Sequence, residues 1–328
     1  MKNLFYLLLA LLILSSCNEN SEETVPDFTR SDSISMGAGY ANDIYYSLKN
    51  GIVSNASRSG WDIAFSTDPM SSTIIINEGY GLKLYAYPNG NLDAWDNIDT
   101  TGLSQWPTLF NADTSWMFGA FDRNSLGHPD YGWGVYNDLS HDVTGDSLFI
   151  IKLSDGSYKK LLIEKRAAMT NTFHFKYGDL NAAGESQEIV CSNYISKNFI
   201  YFSIVSGNIM DNEPKTDEWD LVFTKYHDES IPYIVTGILS NINIETAEVR
   251  GIDTDLADPE SAVFTSSISE IGSDWKTFDM GSFSYIIEND LCYFVKTPEE
   301  EMYKIIFTAT DGSASGKIVF KIEKLSSN

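Results

Sequence analysis

The sequence predicts an all-β protein built from two tandem antiparallel β domains with few short helices. Three observations lead to this prediction. Apolar and polar residues alternate along many short segments rich in β-branched and aromatic residues, Asp-Gly pairs separate such segments, and one five-residue phrase occurs twice at a domain-sized distance. Alternation with a period of two is typical of half-buried strands.

The clearest alternating segments are spread along most of the chain. They are Tyr45–Leu48, Thr73–Asn77, Leu148–Leu153, Tyr233–Ile238 and Tyr303–Thr308. Asp155-Gly156 and Asp311-Gly312 predict tight turns, because Asp-Gly is a common hairpin turn pair. Helical signals are few: Asp258-Pro259-Glu260 predicts a capped short helix that runs through Ile268, and Leu92–Ile98 is a second candidate.

The repeated phrase reads Trp61-Asp62-Ile63-Ala64-Phe65 and again Trp219-Asp220-Leu221-Val222-Phe223. Tyr45-Tyr46-Ser47-Leu48 precedes the first copy and Tyr201-Phe202-Ser203-Ile204 precedes the second. Matching residues also follow both copies in the same order; they are Lys152, Tyr158-Lys159 and Phe175-Lys176 against Lys296, Tyr303-Lys304 and Phe320-Lys321. The chain therefore contains a domain-sized duplication.

We predict one domain over residues 28–181 and a second over 186–328, with Ala182-Ala183-Gly184 as the linker. In a strand, Trp61, Ile63 and Phe65 would share one face and fill a core, and so would Trp219, Leu221 and Phe223 in the second domain. Asp62 and Asp220 would then accept hydrogen bonds from the N–H groups of a neighbouring turn. A catalytic role for this pair is the alternative interpretation.

The N-terminus predicts a lipoprotein. Residues 1–17 read as a signal peptide with a short apolar core, too short to span a bilayer, and small residues before Cys17 resemble a lipobox. Lipid on Cys17 would anchor the chain, and residues 18–27 form an acidic tether typical of surface export. The alternative is a buried first strand or helix. We expect a lipid-anchored outer-membrane protein exposed at the cell surface.

The charge excludes some partners. The formal net charge is −24 at pH 7, so nucleic acid is a poor partner, because phosphate binding needs clustered Lys and Arg. Apart from Cys17 the chain has Cys191 and Cys292, which leaves a disulfide open. Cys292 occupies the repeat position of Leu148, which favours a small core side chain instead.

The first domain carries an aromatic-rich segment that the second nearly lacks. Between Trp95 and Tyr136 lie the tryptophans Trp95, Trp106, Trp116 and Trp133, interleaved with Gly, Asp and Asn. Aromatic loops on a β scaffold can contact ligands through flat apolar faces. The alternative is that these rings cover the sheet.

Several motifs together resemble the HmuY family of Bacteroidetes surface lipoproteins, whose founding member is a haem-binding, hemophore-like protein. The matching pieces are the tyrosine-rich strand, the Trp-Asp phrase, Ile74-Ile75-Ile76-Asn77-Glu78-Gly79, Gly132-Trp133-Gly134-Val135-Tyr136-Asn137 and Asp155-Gly156-Ser157-Tyr158-Lys159. The first domain resembles the family over nearly its whole length. The second lacks a clear Trp-Gly-x-Tyr. The resemblance implies two HmuY-like all-β domains.

The resemblance also implies a haem or porphyrin ligand held by axial histidine or methionine side chains. The family places one ligand after the Trp-Asp strand, where this chain has Met70 in the first domain and His227 in the second. The candidates in the first domain are Met70 with Met117, or a histidine such as His128 or His141. Each has an ordinary alternative, a methionine in the core or a histidine on a loop.

Three classes of function stay open at this stage. The first is haem or porphyrin binding for nutrient acquisition. The second is a surface module that binds glycan or another nutrient on a platform of Trp95, Trp106, Trp116 and Trp133. The third is an enzyme, but no nucleophile elbow, metalloprotease motif, phosphate loop or Cys-x-x-Cys pair occurs in the sequence. A two-carboxylate hydrolase stays open only because 46 acidic residues supply pairs by chance. A purely structural or protein-binding role is a further alternative.

Overall fold

The computed structural model describes residues 28–326, and within that range the chain forms antiparallel β-strands, turns and short 3₁₀ segments but no α-helix. The prediction of an all-β fold is confirmed. The strands are β1 Phe28–Ser35, β2 Asn42–Ser47, β3 Gly51–Ser57, β4 Ile63–Ser66, β5 Ile74–Ile76, β6 Lys83–Ala86, β7 Gly134–Tyr136, β8 Val143–Gly145, β9 Leu148–Lys152, β10 Tyr158–Ala167, β11 Thr172–Asp179, β12 Glu185–Val190, β13 Phe199–Ser203, β14 Asn208–Met210, β15 Leu221–His227, β16 Ile234–Ser240, β17 Glu245–Arg250, β18 Lys276–Asp279, β19 Ser284–Ile287, β20 Leu291–Lys296, β21 Met302–Thr310 and β22 Lys317–Leu325.

The strands form two similar units, each with a large sheet and a four-stranded sheet. The first unit has a seven-stranded sheet of β6 to β12 and a sheet ordered β14-β13-β4-β5. The second has a sheet ordered β1-β22-β21-β20-β17 and a sheet ordered β16-β15-β2-β3. We call β4 to β14 the central unit, and β1 to β3 together with β15 to β22 the split unit.

The two units do not coincide with the predicted ranges 28–181 and 186–328. β2 pairs with β15, which carries the second Trp-Asp phrase, and β13 pairs with β4, which carries the first. Each tyrosine-rich strand thus completes the sheet of the other repeat. Ala182-Ala183-Gly184 lies in the hairpin loop between β11 and β12, which pair along six residues, and does not link two domains.

Each unit encloses its own apolar core between its two sheets. The central core includes Ile63, Phe65 and Phe202, whereas the split core includes Tyr46 and Phe223. Since β2 contributes Ile44 and Tyr46 to the split core, the N-terminal strands are part of that core and not an added edge.

The two aspartates of the repeated phrase stabilise this exchange of tyrosine-rich strands between the repeats. Asp62 Oδ2 accepts hydrogen bonds from the N–H of Ile204 at 2.7 Å and of Val205 at 3.3 Å, in the turn that follows β13. Asp220 Oδ2 accepts from the N–H of Leu48 at 2.7 Å, in the turn that follows β2. Each carboxylate binds the turn of the other repeat, which agrees with the predicted hydrogen-bonding role.

The tryptophans of the phrase lie on the opposite face from the one predicted. Trp61 packs with Ala64 outside the central core, and Trp219 packs with Val222 outside the split core. The placement of Trp61 and Trp219 in the two cores, beside Phe65 and Phe223, is therefore wrong. The reason is a bend at the aspartate: the strands begin only at the residue after it, so the alternation does not extend back to the tryptophan.

Two asparagines that the sequence analysis did not single out brace the same bend. Asn77 Nδ2 donates to the carbonyl of Trp61 at 2.9 Å, and Asn241 Nδ2 donates to the carbonyl of Trp219 at 2.7 Å. Both asparagines end an apolar run, Ile74–Ile76 in one repeat and Ile238–Leu239 before Ser240 in the other. That shared position is the signal that could have identified them.

The two four-stranded sheets meet across the units with local two-fold pseudosymmetry. The rings of Tyr45 and Trp219 are 5.0 Å apart at 78°, and those of Trp61 and Tyr201 are 4.8 Å apart at 72°. The hydroxyls of Tyr45 and Tyr201 approach to 3.3 Å between the two pairs. The aromatic residues on the outer faces of the sheets therefore form the contact between the units.

The predicted turns are present, but the predicted helices are shorter. Pro259–Ser261 forms one 3₁₀ turn, which Asp258 caps through the Glu260 N–H at 2.9 Å, and it does not continue to Ile268. Thr265 instead forms a bridge with Thr246 of β17, which draws the chain into an extended path. The second candidate is likewise a 3₁₀ segment, Leu92–Asp96.

Cys191 and Cys292 are both free and buried in different clusters. They serve as small core side chains, and the disulfide left open by the sequence is not formed. Cys17, the signal peptide and the acidic tether lie outside the described residues, as do the last two positions of the predicted second domain.

Candidate functional site

Four loops lie side by side at one end of the central unit. They comprise residues 67–72, 127–131, 137–142 and 168–171, and we call this region the loop end. Asp142 accepts a hydrogen bond from the N–H of Ala168 at 2.9 Å, and Asn171 Nδ2 donates to the carbonyl of Thr67 at 2.7 Å. These bonds join the loop that carries Met70 to the loops that follow β7 and β10.

The loop end gathers two of the predicted ligand histidines around one tyrosine. His141 Nδ1 lies 2.5 Å from the hydroxyl of Tyr136, and the His128 ring lies 5.1 Å from the Tyr136 ring. His128 Nε2 also lies 3.4 Å from a carboxylate oxygen of Asp138. Both imidazoles are exposed, so either one is accessible to a ligand.

The two predicted methionines lie on adjoining segments. Met70 is 89% exposed at the loop end, and Met117 is 49% exposed. Thr73, which follows the Met70 loop, donates its hydroxyl to the carbonyl of Met117 at 2.7 Å. The structure thus places the Met70 loop against the segment that carries Met117, and Met117 lines a recess described below.

The four predicted tryptophans do not form a common platform. Trp133 is fully buried in the central core. Trp95 is buried in a separate cluster with Trp106, which packs against Tyr87. Trp116 lies at the contact between the units. A shared stacking surface is therefore wrong, and Trp133 offers no exposed face.

Hydrogen bonds of the indole groups allow rings in a loop-rich segment to be buried. Trp133 Nε1 donates to the carbonyl of Ser72 at 3.1 Å, and Trp95 Nε1 donates to the carbonyl of Ala183 at 2.8 Å. The ammonium group of Lys160 lies 4.5 Å from the centre of the Trp95 ring. A buried tryptophan needs such a partner for its N–H, and both rings have one.

A large recess opens between the two units, and we call it the inter-unit cleft. Its volume is about 600 Å³. Both units line it; its residues include Asp68, Pro69, Trp116, Met117, Lys197, Asn198, Lys215, Asp217, Trp219, Asn241 and Glu299. A second, smaller cavity of about 80 Å³ lies against Tyr45, Tyr201 and Glu213. No sequence motif marks either space, because each is assembled from distant segments.

Two buried carboxyl groups lie at the contact between the units. Glu78 accepts hydrogen bonds from the N–H of His227 at 2.8 Å and of Asn111 at 2.9 Å, and burial raises its pKa to about 8. Glu213 accepts from the Tyr201 hydroxyl at 2.8 Å, and burial raises its pKa to about 7. The N–H and O–H donors oppose these shifts but do not cancel them.

We expect the stability of the protein to fall as the pH rises from about 6.5 to about 8. A raised carboxyl pKa gives a contribution to stability that is complete below the unfolded value and is lost as pH rises through the folded value, here about 8 for Glu78. Burial lowers the pKa of His227, which opposes the trend only below its ordinary value near 6.5. Denaturant unfolding at several pH values measures the unfolding free energy as a function of pH. Its slope over this range should be on the order of 1 kcal/mol per pH unit.

Glu78→Gln is the matched variant for this measurement, since it keeps an acceptor and removes the titration. Its unfolding free energy should vary less with pH over the same range. An unchanged slope would show that Glu78 ionises as in the unfolded chain.

Among residues 28–326, no group of three or more histidine, cysteine or acidic side chains is placed to hold a metal ion. The same part of the chain contains no helix with the length and apolar character needed to cross a membrane.

No protein-family model and no curated protein matches this sequence. The solved structures that are similar to part of the chain include two from Bacteroides species. One is a proposed HmuY-like heme-binding protein from Bacteroides vulgatus ATCC 8482, with 12% identity and a TM-score of 0.22 over 39% of this chain and 86% of that protein. The other is a proposed lipoprotein from Bacteroides fragilis NCTC 9343, with 14% identity and a TM-score of 0.22 over 39% of this chain and 85% of that protein.

Proposed function

We propose that this chain is a lipid-anchored binding protein of the bacterial cell surface, not an enzyme, and that it takes haem or a related porphyrin at the loop end. The anchor would be Cys17, which lies outside the described residues. The proposal combines the sequence resemblance to the HmuY family with one structural observation. Contacts link the loops that carry Met70, His128 and His141 through the loop at residues 168–171 and through His128 with Asp138, and all three side chains are exposed.

The chemistry of the loop end fits a porphyrin with bound iron. Thioether and imidazole groups are common axial ligands of haem iron, and Met70, His128 and His141 supply both kinds. Leu126 and Leu139 lie on the same loops as the histidines and are about 90% exposed, which offers apolar contact to a macrocycle. The second domain has only His227 in the corresponding position, and its ring stacks on Phe110 at 3.9 Å.

Hemin titration followed through the Soret band tests this proposal. Met70→Ala is expected to weaken binding about tenfold or more, because loss of an axial ligand removes a bond to iron. Binding should be stronger under reducing conditions, since methionine favours ferrous over ferric iron relative to histidine. His141→Ala should change the position of the band if the imidazole is the second ligand.

Two matched variants serve as controls. Met280→Ala removes another exposed methionine, 70% exposed, from the hairpin β18–β19 of the split unit, and His227→Ala removes the stacked imidazole. Neither should weaken hemin binding. No change in the Soret band in either redox state, or an equal loss in Met280→Ala and Met70→Ala, would reject haem as the ligand of this site.

A further inference from the structure

The inter-unit cleft adjoins the loop end, since Asp68 and Pro69 line it, and it is built from both repeats. The central unit contributes Trp116 and Asn198, and the split unit contributes Trp219 and Asn241. Its volume of about 600 Å³ lies in the range of small-molecule sites, which occur preferentially where domains meet.

Trp116 supplies a fixed aromatic wall. Its Nε1 donates to the carbonyl of Ser240 in the split unit at 2.8 Å, and its ring packs against Phe199 at 6.0 Å. Since the indole is bonded across the contact between the units and is only partly buried, it presents a rigid flat apolar surface to the cleft. A ligand that stacks on it would restrict few additional side-chain rotations.

Trp219 lines both the cleft and the smaller cavity, and its indole leaves a hydrogen-bond donor without a partner. The side chain is only 4% exposed, and its Nε1 has no acceptor within residues 28–326. The indole groups of Trp95, Trp116 and Trp133 all donate to a backbone carbonyl. A buried N–H without an acceptor costs free energy, so this position favours a ligand that brings an oxygen, directly or through water.

The polar groups of the cleft disfavour an anionic ligand. Asp68, Asp217 and Glu299 contribute carboxylates, while Lys197 is already bonded to the carboxylate of Asp211. Lys215 adds the other ammonium group of the lining. With Asp220 also in the lining, acidic groups outnumber basic ones, which would repel haem propionates, phosphates and uronic acids.

Hydroxyl-bearing ligands match the remaining lining. Side-chain amides, hydroxyls and carboxylates lie around the aromatic wall, and the neutral side chains of Ser196 and Asn243 are exposed there. Asn198 Nδ2 donates to Asn241 Oδ1 at 2.7 Å across the units, and this bond fixes the two walls of the cleft relative to each other. We propose that the inter-unit cleft binds a neutral oligosaccharide, which stacks one sugar face on Trp116 and brings an oxygen to the N–H of Trp219.

Four neutral hexasaccharides test this proposal on the full soluble chain: cellohexaose, maltohexaose, xylohexaose and α-mannohexaose, with hexagalacturonate as the anionic probe. Binding of at least one neutral probe is expected by isothermal titration, with weaker or no binding of hexagalacturonate. Trp116→Ala should lower the affinity at least tenfold for the neutral probe that binds. Trp219→Phe keeps an aromatic ring and removes the N–H. It should lower the affinity for the same probe by about three- to tenfold.

The chain offers a matched control for each variant. Trp106→Ala removes another partly buried tryptophan far from the cleft, and Trp61→Phe makes the same change at the repeat-equivalent position, which does not line the cleft. Both should leave affinity unchanged. No binding of any neutral probe at about 1 mM would overturn the proposal, as would preferred binding of hexagalacturonate or of a cationic peptide such as hexalysine. Equal losses in Trp106→Ala and Trp116→Ala would also overturn it.

Discussion

A protein shortened to begin at Arg58 is expected to keep the central unit folded and to lose the split unit. The deletion removes β1, β2 and β3, and with them the buried side chains of Ile34, Met36 and Ile44 from the split core. It removes no strand from the central unit, whose sheets are formed by β4 to β14. Burial of each such side chain contributes about 1.5–3 kcal/mol, so the loss of all three is comparable to the typical stability of a domain, about 5–15 kcal/mol.

Hydrogen exchange read by peptide mass spectrometry distinguishes the two units. Protection should be lost over residues 221–325 and kept over 61–210. The opposite outcome, loss of protection around Ile63–Phe65, would mean that β2 pairs with β4 of its own repeat. The point variants Ile44→Ala and Ile200→Ala test the same assignment with a smaller perturbation than the deletion, since the two residues occupy equivalent positions in β2 and β13. Ile44→Ala should destabilise the split unit and Ile200→Ala the central unit, each by about 2–5 kcal/mol.

The all-β fold and the duplication could be predicted from the sequence because both depend on local pattern. Alternation identified the strands around Tyr45, Ile75, Ile150 and Ile305, and Asp155-Gly156 marked a hairpin turn. These signals act over a few residues, so they survive any arrangement of the strands in space.

The exchange of strands between repeats could not be predicted in the same way. Tyr45-Tyr46 and Tyr201-Phe202 are nearly identical in character, so either segment suits either Trp-Asp strand. The short loop after β11 decides the outcome, because it allows β12 to fold back as a hairpin, and β13 then follows into the central unit. Closing a short loop costs less conformational entropy than bridging two units.

The candidate sites show the same division between local and non-local information. Met70, His128 and His141 were predicted one by one from residue type and from the resemblance, and the fold places them at one end of a unit. For Trp133 the sequence left both a ligand platform and a sheet-covering ring open, because its place in the central core depends on residues far away in sequence, such as Ser72. The unpartnered N–H of Trp219 depends on the whole contact between the units and has no sequence signal at all.

Asp62→Ala is expected to destabilise the central unit by about 2–4 kcal/mol and to loosen a turn 141 or more positions away in sequence. The Asp62 carboxylate accepts from the N–H groups of Ile204 and Val205, and it is 4% exposed. Removing it leaves the buried N–H of Ile204 without an acceptor, and water cannot replace the carboxylate there without entering the protein. Asp62→Asn keeps one acceptor oxygen and should cost less.

Asp220→Ala provides the symmetric experiment, because its carboxylate accepts from the N–H of Leu48 in the other unit. Exchange should become faster at residues 203–207 in Asp62→Ala and at 47–51 in Asp220→Ala. A catalytic role for the two aspartates predicts something different, namely unchanged stability and loss of a reaction. If Asp62→Ala instead loosens the turn at 47–51, each aspartate binds the turn of its own repeat, and the exchange of strands between the two units is not present in solution.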